Sequence, residues 1–463
     1  PYDGTPFVLS GFAGTGKTYL SRHLLQQVDD LGYCWTVVAP THKAVGVLRQ
    51  QLAWAGLQPT WYPSTIHRLL RLKLKRQGDL ERCEETEQTA ASLENLGLVL
   101  VDEASMVDST LLEIVLRCAH PFRTRLVFVG DPAQLPPVGE PTSPVFGMGR
   151  AAAASLSEVV RHQGPVLQLA TGLRNGELPC RQPPAFAPVR DEHGQVAALP
   201  RAEWLAAAQA ALRRGAELDN PDHARILCYT NRALEQLVPI ARRAIHGEMA
   251  DQLPVLPGEV LITRAAVMAP SCRSGEEAAE EPDMVLGSNR ELVVRDVAPE
   301  RCDLADFGIG SGDGITAPVI DTLSAEVDAG EARLTLRLLP PAGSSARMEL
   351  DTLMQHLRQQ AREAGKQAGR GLWRRYFLVR DAFASLGPAA VLSVHRSQGS
   401  TFGEVFVAGD VFWPSDAVLR RQLVYVAVSR ASQAVWMVAD SRAKAGALED
   451  QQLWRRWLKQ DLS

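Results

Sequence analysis

Short unbroken apolar runs recur along the chain, separated by stretches in which apolar residues return every three or four positions. The early runs are Phe7-Val8-Leu9, Thr36-Val37-Val38-Ala39, Leu98-Val99-Leu100-Val101 and Leu126-Val127-Phe128-Val129. The later ones are Ile226-Leu227-Cys228-Tyr229, Ala390-Val391-Leu392-Ser393-Val394, Val405-Phe406-Val407-Ala408 and Val435-Trp436-Met437-Val438. Runs of this length read as strands buried on both faces, as in a parallel sheet. After Lys17, residues Leu20, Leu24, Leu25, Val28 and Leu31 share one helical face, and Gly32 stops the helix. The runs form two groups, one before about residue 165 and one after about residue 225, which predicts two α/β cores facing each other. In such sheets ligands bind beyond the carboxyl ends of the strands, and several of the runs end in polar or glycine-rich segments.

Two stretches break this pattern. Residues 68–96 begin basic, with Arg68, Arg71, Lys73, Lys75 and Arg76, and turn acidic at Glu81, Glu84, Glu85 and Glu87. From charge alone they read as a solvated excursion between two strands. Residues 251–345 are rich in Gly and Pro and carry short β-like runs at Val260-Leu261-Ile262, Glu291-Leu292-Val293-Val294-Arg295 and Arg333-Leu334-Thr335-Leu336-Arg337. They predict a small barrel inserted into the second core, with an exposed acidic loop from Glu276 to Asp283. Residues 349–367 read as a polar helix, and no internal repeat is evident.

Chemistry enters at the strand ends. Gly11-Phe12-Ala13-Gly14-Thr15-Gly16-Lys17-Thr18 fits the phosphate-binding pattern G-x-x-x-x-G-K-[ST], between a strand and a helix. Gly11, Gly14, Thr15 and Gly16 let backbone N–H groups wrap phosphates at a helix N-terminus. Lys17 is expected to reach the β- and γ-phosphates, and the Thr18 hydroxyl to ligate Mg²⁺. Asp102-Glu103 ends another strand: Asp102 suits Mg²⁺, and Glu103 suits orienting and deprotonating the attacking water. Taken alone, this pair reads more readily as an acidic turn before a helix near Thr110 capped by Asp108; following a P-loop and a strand, it reads as catalytic. In Gly130-Asp131-Pro132-Ala133-Gln134-Leu135-Pro136-Pro137-Val138, the Gln134 amide can sense a γ-phosphate; the bland alternative is a proline-stiffened turn.

Composition narrows the setting. The 463 residues suffice for several cores, and the apolar (46%) and charged (22%) fractions are those of soluble globular protein. No apolar run approaches the ~20 residues of a membrane span, and no export signal opens the chain, so no membrane partner is expected. The seven cysteines are scattered without a CxxC pair, which fits free thiols in the cytoplasm. A net charge of −4 argues mildly against nucleic acid, but a local basic groove is what counts.

The order of motifs resembles a superfamily 1 DNA helicase of the 5′→3′, RecD-like and Dda-like branch. GFAGTGKT resembles motif I, Ala39-Pro40-Thr41-His42-Lys43-Ala44 motif Ia, and Ser64-Thr65-Ile66-His67-Arg68 the segment after it. VDEASMVD resembles motif II and GDPAQLPPV motif III. Glu158-Val159-Val160-Arg161 resembles motif IV, and Tyr229-Thr230-Asn231-Arg232 the motif that opens the second core. Val394-His395-Arg396-Ser397-Gln398-Gly399-Ser400-Thr401 resembles motif V, and Tyr425-Val426-Ala427-Val428-Ser429-Arg430-Ala431 motif VI. Ser-Gln-Gly-Ser-Thr in motif V and the Leu135-Pro136-Pro137-Val138 that ends motif III favour the 5′→3′ branch over its 3′→5′ counterpart.

The resemblance implies two RecA-like motor domains, over 1–165 and over 166–250 with 386–463. It implies a pin that splits duplex within 68–96, and an SH3-like barrel with a helical arm over 251–385. By matched position, Lys17, Asp102, Glu103, Gln134, Arg161 and Arg430 are catalytic. Arg161 and Arg430 contact the γ-phosphate from the second core, and Gly399 also lies at the nucleotide. Pro40, Thr41, His42, Thr65, His67, His395, Ser397, Gln398 and Thr401 line the DNA track, and hydroxyls and amides there suit phosphate contacts that carry no sequence information. Trp61, Tyr62, Phe402 and Trp413 either stack on bases or pack in the cores. ATP and Mg²⁺ are the implied cofactors. The implied partners are single-stranded DNA, single/double-strand junctions and a replication or repair protein. The family also carries, upstream of motif I, a glutamine that reads adenine. The sequence opens at Pro1 without methionine, as a fragment or a processed product would, and shows no such segment. Two rival readings are a P-loop ATPase that remodels protein, against which motifs Ia and V speak, and a RecD-like motor subunit of a nuclease complex.

Overall fold

The computed structural model describes residues 5–12, 14–77, 80–149, 151–156, 164–269, 284–310, 317–330, 332–440 and 448–460. Arg161 and the acidic loop at 276–283 lie outside the described residues. By compactness the chain divides into two units. One comprises residues 1–72, 85–245 and 390–463; the other comprises 73–84 and 246–389.

The first unit holds two six-stranded sheets, each with helices from its own part of the chain. Strands β1 (Phe7–Gly11), β2 (Trp35–Ala39) and β3 (Ser64–Thr65) precede an antiparallel hairpin, β4 (Lys73–Gln77) and β5 (Leu80–Glu84), which groups with the second unit. β6 (Leu98–Val101), β7 (Arg125–Gly130) and β8 (Ala152–Leu156) then complete an all-parallel sheet in the order β3-β2-β6-β7-β1-β8. β2 and β6 are buried along their whole length, as expected of a sheet covered on both faces. Register sets Val38 beside Val101, Val101 beside Phe128 and Ser10 beside Gly130, so the segments leaving β1, β2, β6 and β7 share one edge.

The second sheet is built from β9 (Phe186–Asp191), β10 (Gly194–Leu199) and β11 (Ala224–Cys228), joined by three strands from late in the chain. Between them runs the insertion: β12 (Val260–Thr263), β13 (Val267–Met268), β14 (Met284–Leu286), β15 (Glu291–Asp303), β16 (Val319–Asp328), β17 (Arg333–Arg337) and β18 (Leu386–Pro388). Within the insertion, β17-β16-β15-β12-β18 form an antiparallel sheet and β13 pairs with β14. β19 (Val391–Ser393), β20 (Phe402–Val407) and β21 (Ala431–Val438) close the second sheet in the order β19-β11-β20-β21-β10-β9, parallel except for β9.

Several expectations need correction. The second sheet begins well before residue 225, because β9 and β10 belong to it. Phe186–Asp191 is only partly buried and carries Pro188 and Arg190, so no continuous apolar run announced it. The polar helix expected at 349–367 is two helices, Ser345–Glu363 and Gly365–Asp381; Gly365, at φ +72°, breaks the run. The first of these is not polar all round, since Leu350, Leu353, Leu357 and Ala361 are buried. On helix Lys17–Asp30 only Leu25 and Val28 are buried, while Leu20 and Leu31 face solvent. Residues 68–96 are more than a solvated excursion, because Thr89, Ser92, Leu93 and Leu96 sit in the interior of the first core. No helix among the described residues is long and apolar enough to cross a membrane.

Candidate functional site

The loop after β1 is shaped by its glycines. Gly14 and Gly16 adopt φ of +80° and +87°, a region that strains side-chain-bearing residues, and a Cβ on Gly16 would face open space. Thr15 Oγ1 donates to the Phe12 carbonyl at 2.8 Å and locks the turn. Lys17, the first residue of the helix, turns back over the loop and donates to the Gly11 and Phe12 carbonyls at 2.7 and 2.8 Å. Burial pushes its ammonium below the usual lysine range, while Asp131, Glu103 and Asp102 pull it back up. Arg430 acts in the same direction as burial, so this guanidinium from the second core lies within electrostatic reach of Lys17.

Asp102 and Glu103 leave β6 beside this cation. The Asp102 N–H donates to the Val38 carbonyl at 2.8 Å, and Glu103 takes a left-handed φ of +52°, a costly conformation for a residue with a side chain. Asp108 caps the following helix, Ser109–Phe122, by accepting from the Leu111 N–H at 2.7 Å, so it serves structure beside the acidic pair. Burial, and then the neighbouring Glu103 charge, push the Asp102 carboxyl up to about 7. A cavity of about 170 Å³ is lined by Thr18 and Asp102 at one end and otherwise mainly by Leu25, Val37, Leu48, Leu52 and Leu100, so it is an apolar recess beside the phosphate loop and not the phosphate site itself. A hydroxyl and a half-buried carboxyl are nevertheless hard oxygen donors, the kind of set that Mg²⁺ takes when substrate phosphates complete it. A raised carboxyl pKa contributes stability that is fully present below the ordinary carboxylate value and is lost as pH rises through about 7. Mg²⁺ favours the ionised form and offsets that loss. With a non-hydrolysable ATP analogue present, Mg²⁺ should therefore raise the melting temperature more at about pH 8 than at about pH 6. Equal rises at both would remove Asp102 from the metal set.

The loop after β7 is interior. Asp131 is 0% exposed, and its side chain accepts from the Ala133 N–H at 2.9 Å and from the Tyr425 hydroxyl at 2.6 Å. Gln134 is 6% exposed, and its Oε1 is buried without a hydrogen-bond partner. A buried amide oxygen left unsatisfied marks a place where a ligand or water is wanted.

The second core meets this edge through Ala417–Ser429, a helix capped by Asp416 and buried continuously from Leu423 to Val428. Arg430 ends it, 6% exposed, and donates to the carbonyls of Val426 and Ser400, both at 3.3 Å, and to Ser429 Oγ at 3.1 Å. Among the described residues Arg430 forms no ion pair, so a buried guanidinium is held by neutral acceptors alone. Gly399 takes φ +74°, and a Cβ there would lie 3.3 Å from Ala44 Cβ in the first core, so the two cores touch at this point. Unlike the first core's motifs, Gly399, Thr401 and Arg430 lie before β20 and β21, at the amino ends of those strands.

The expected strand-binding residues separate into two groups. Pro40, Thr41, His42, His67, His395 and Thr401 keep exposed surface, although the Thr41 hydroxyl also caps its helix by accepting from the Ala44 N–H. Burial lowers the His67 pKa, against the pull of Asp108. Thr65, Ser397 and Gln398 are buried instead. Thr65 Oγ1 accepts from the Arg68 N–H, Ser397 Oγ donates to the Val394 carbonyl, and Gln398 Nε2 donates to the Leu135 carbonyl at 3.2 Å. Of the aromatics, Phe402 is buried and Trp61 packs on the first core, whereas Tyr62 and Trp413 are exposed. Sequence reasoning missed Asp131, Tyr425 and Arg174. The Arg174 guanidinium lies over the Phe12 ring, 3.5 Å from its centroid. The only signal for Tyr425 was a lone hydroxyl inside the apolar run Leu423–Val428.

Residues 4–200 match the AAA domain family, and residues 388–438 match the UvrD-like helicase C-terminal domain family. The ATP-dependent DNA helicase dda of Enterobacteria phage T4 is 23% identical over 437 residues, covering 93% of each chain. The ATP-dependent RecD2 DNA helicase of Deinococcus radiodurans is 32% identical over 177 residues, which is 37% of this chain and 22% of that protein. A Pif1 helicase from Bacteroides, solved in complex with ADP-AlF3 and ssDNA, superposes with a TM-score of 0.46 at 14% identity, covering 98% of this chain and 94% of that one.

Proposed function

We propose that this chain, which belongs to the Dda- and RecD-like superfamily 1 helicases, moves 5′→3′ along single-stranded DNA and separates duplex ahead of it. It is an ATP-dependent DNA helicase. The observation that carries the mechanism is the meeting of the two cores at the nucleotide edge, where Tyr425, on the helix that ends at Arg430, bonds Asp131 in the loop after β7 and Gly399 lies against Ala44. ATP enters the edge formed by the β1, β6 and β7 loops. Backbone N–H groups and Lys17 take its phosphates, Gln134 meets the γ-phosphate, and Glu103 orients the attacking water. Mg²⁺ held by Thr18 and Asp102 would neutralise charge on the phosphates. Arg430, joined by Arg161, stabilises the transition state only when the cores are close, which couples hydrolysis to cleft closure.

The strand lies along Pro40, Thr41, His42, His67, His395 and Thr401 and is held by its phosphates. Thr65, Ser397 and Gln398 act from beneath, by fixing the loops that carry those contacts. Residues 1–165 form the first motor domain, and 166–250 begin the second, which resumes at Ala390 and not at 386, because β18 pairs with β12 in the insertion. The hairpin within 68–96 serves as the pin, and the insertion, 251–389, forms an SH3-like barrel with a helical arm. The antiparallel hairpin β4–β5 and the antiparallel sheet of the insertion support this division. The cytoplasm and a replication or repair partner fit the reading. Strand displacement on paired substrates with a 5′ or a 3′ tail tests it. Unwinding should require ATP and the 5′ tail, and unwinding from the 3′ tail would reverse the polarity.

A further inference from the structure

The loop after β7 is held from the second core at two points. At its start, the Tyr425 hydroxyl donates to Asp131 Oδ2 at 2.6 Å. At its end, Gln398 Nε2 donates to the Leu135 carbonyl. Between them lies Gln134, whose side-chain oxygen is buried and unsatisfied. Its backbone is tied to the first point, because the Gln134 N–H donates to the Asp131 carbonyl at 3.2 Å. Tyr425 is 1% exposed and stands on the helix that ends at Arg430, so any shift of that helix moves both residues. If the two cores part, these bonds must break or carry the loop with them. A buried Tyr–Asp bond at the meeting of the two cores can therefore do more than satisfy two polar groups.

We propose that Tyr425 is a positioning residue through which the second core sets the loop bearing Gln134, so that engagement of a DNA strand is relayed to ATP hydrolysis. The relay rests on the helicase reading. It assigns no contact with substrate to Tyr425, which acts through Asp131 and the loop behind it.

Tyr425→Phe keeps the ring and removes the hydroxyl that bonds Asp131. Turnover without DNA, ATP KM and affinity for single-stranded DNA should stay within about twofold of the parent protein, while strand-stimulated kcat falls roughly tenfold. A stimulation ratio equal to the parent's overturns the proposal. So does a parallel fall in basal turnover, strand affinity and stimulated turnover, which marks a merely structural bond. Should Tyr425→Phe fail to fold, Gln398→Leu, which releases the other end of the loop, must also lose stimulation; retained stimulation there overturns the relay. A parent protein that DNA does not stimulate at all defeats the helicase reading itself and the relay with it.

Discussion

Lys17→Ala should lower strand-stimulated ATP hydrolysis by about 10³-fold or more, to the background of the assay. The ammonium closes the loop after β1 by bonding two of its carbonyls, and it faces Asp131, Glu103 and Asp102. Alanine leaves those acids without their cation, so a triphosphate would meet uncompensated negative charge where it now meets a positive one. Affinity for nucleotide should fall together with turnover. Glu103→Gln separates the two roles: the amide keeps the size of the side chain but cannot take a proton from water, so hydrolysis is lost while ATP still binds. Turnover measured with and without DNA, alongside equilibrium binding of a fluorescent ATP analogue, reads both variants. Undiminished turnover in either one refutes its assignment.

What the sequence made legible follows from how local each signal was. The P-loop is local, because glycine spacing, the lysine and the strand before it all fall within a dozen positions. The continuous burial of β2, β6 and β11 left equally plain apolar runs. β9 and β10 were not legible, because an edge hairpin with polar and Pro positions lacks the pattern of a central strand. Gly365 was ambiguous in sequence, since a glycine inside a polar helical pattern breaks it only when φ turns positive. Ser397 and Gln398 look like phosphate donors in one dimension. Whether a hydroxyl or amide points to solvent or to a carbonyl of the other core depends on contacts across more than two hundred residues, as Gln398 and Leu135 show. Tyr425 and Asp131 are separated by 294 positions, and neither segment alone implies the other.

Arg430→Ala should leave nucleotide affinity within about threefold while lowering kcat by ~10³-fold, the scale of an arginine delivered across a cleft. The split follows from where the guanidinium now rests. It is buried, donates to the carbonyls of Val426 and Ser400 and to the Ser429 hydroxyl, and has no carboxylate to pair with among the described residues. Neutral acceptors compensate a buried cation poorly, so the side chain is held ready for an anion rather than satisfied in place. A triphosphate bound at Lys17 would give this guanidinium an anion to meet, and the attraction would strengthen as charge builds on the oxygens of the transferring group. Lys17 and the loop after β1 hold the phosphates without it, which is why ground-state binding should hardly suffer while the transition state does. Arg430→Lys keeps the charge but loses the planar fork that bonds Val426, Ser400 and Ser429, so it should recover little of the rate. Normal single-turnover hydrolysis by Arg430→Ala would take this residue out of the site and, with it, the link between closing the cores and cleaving ATP.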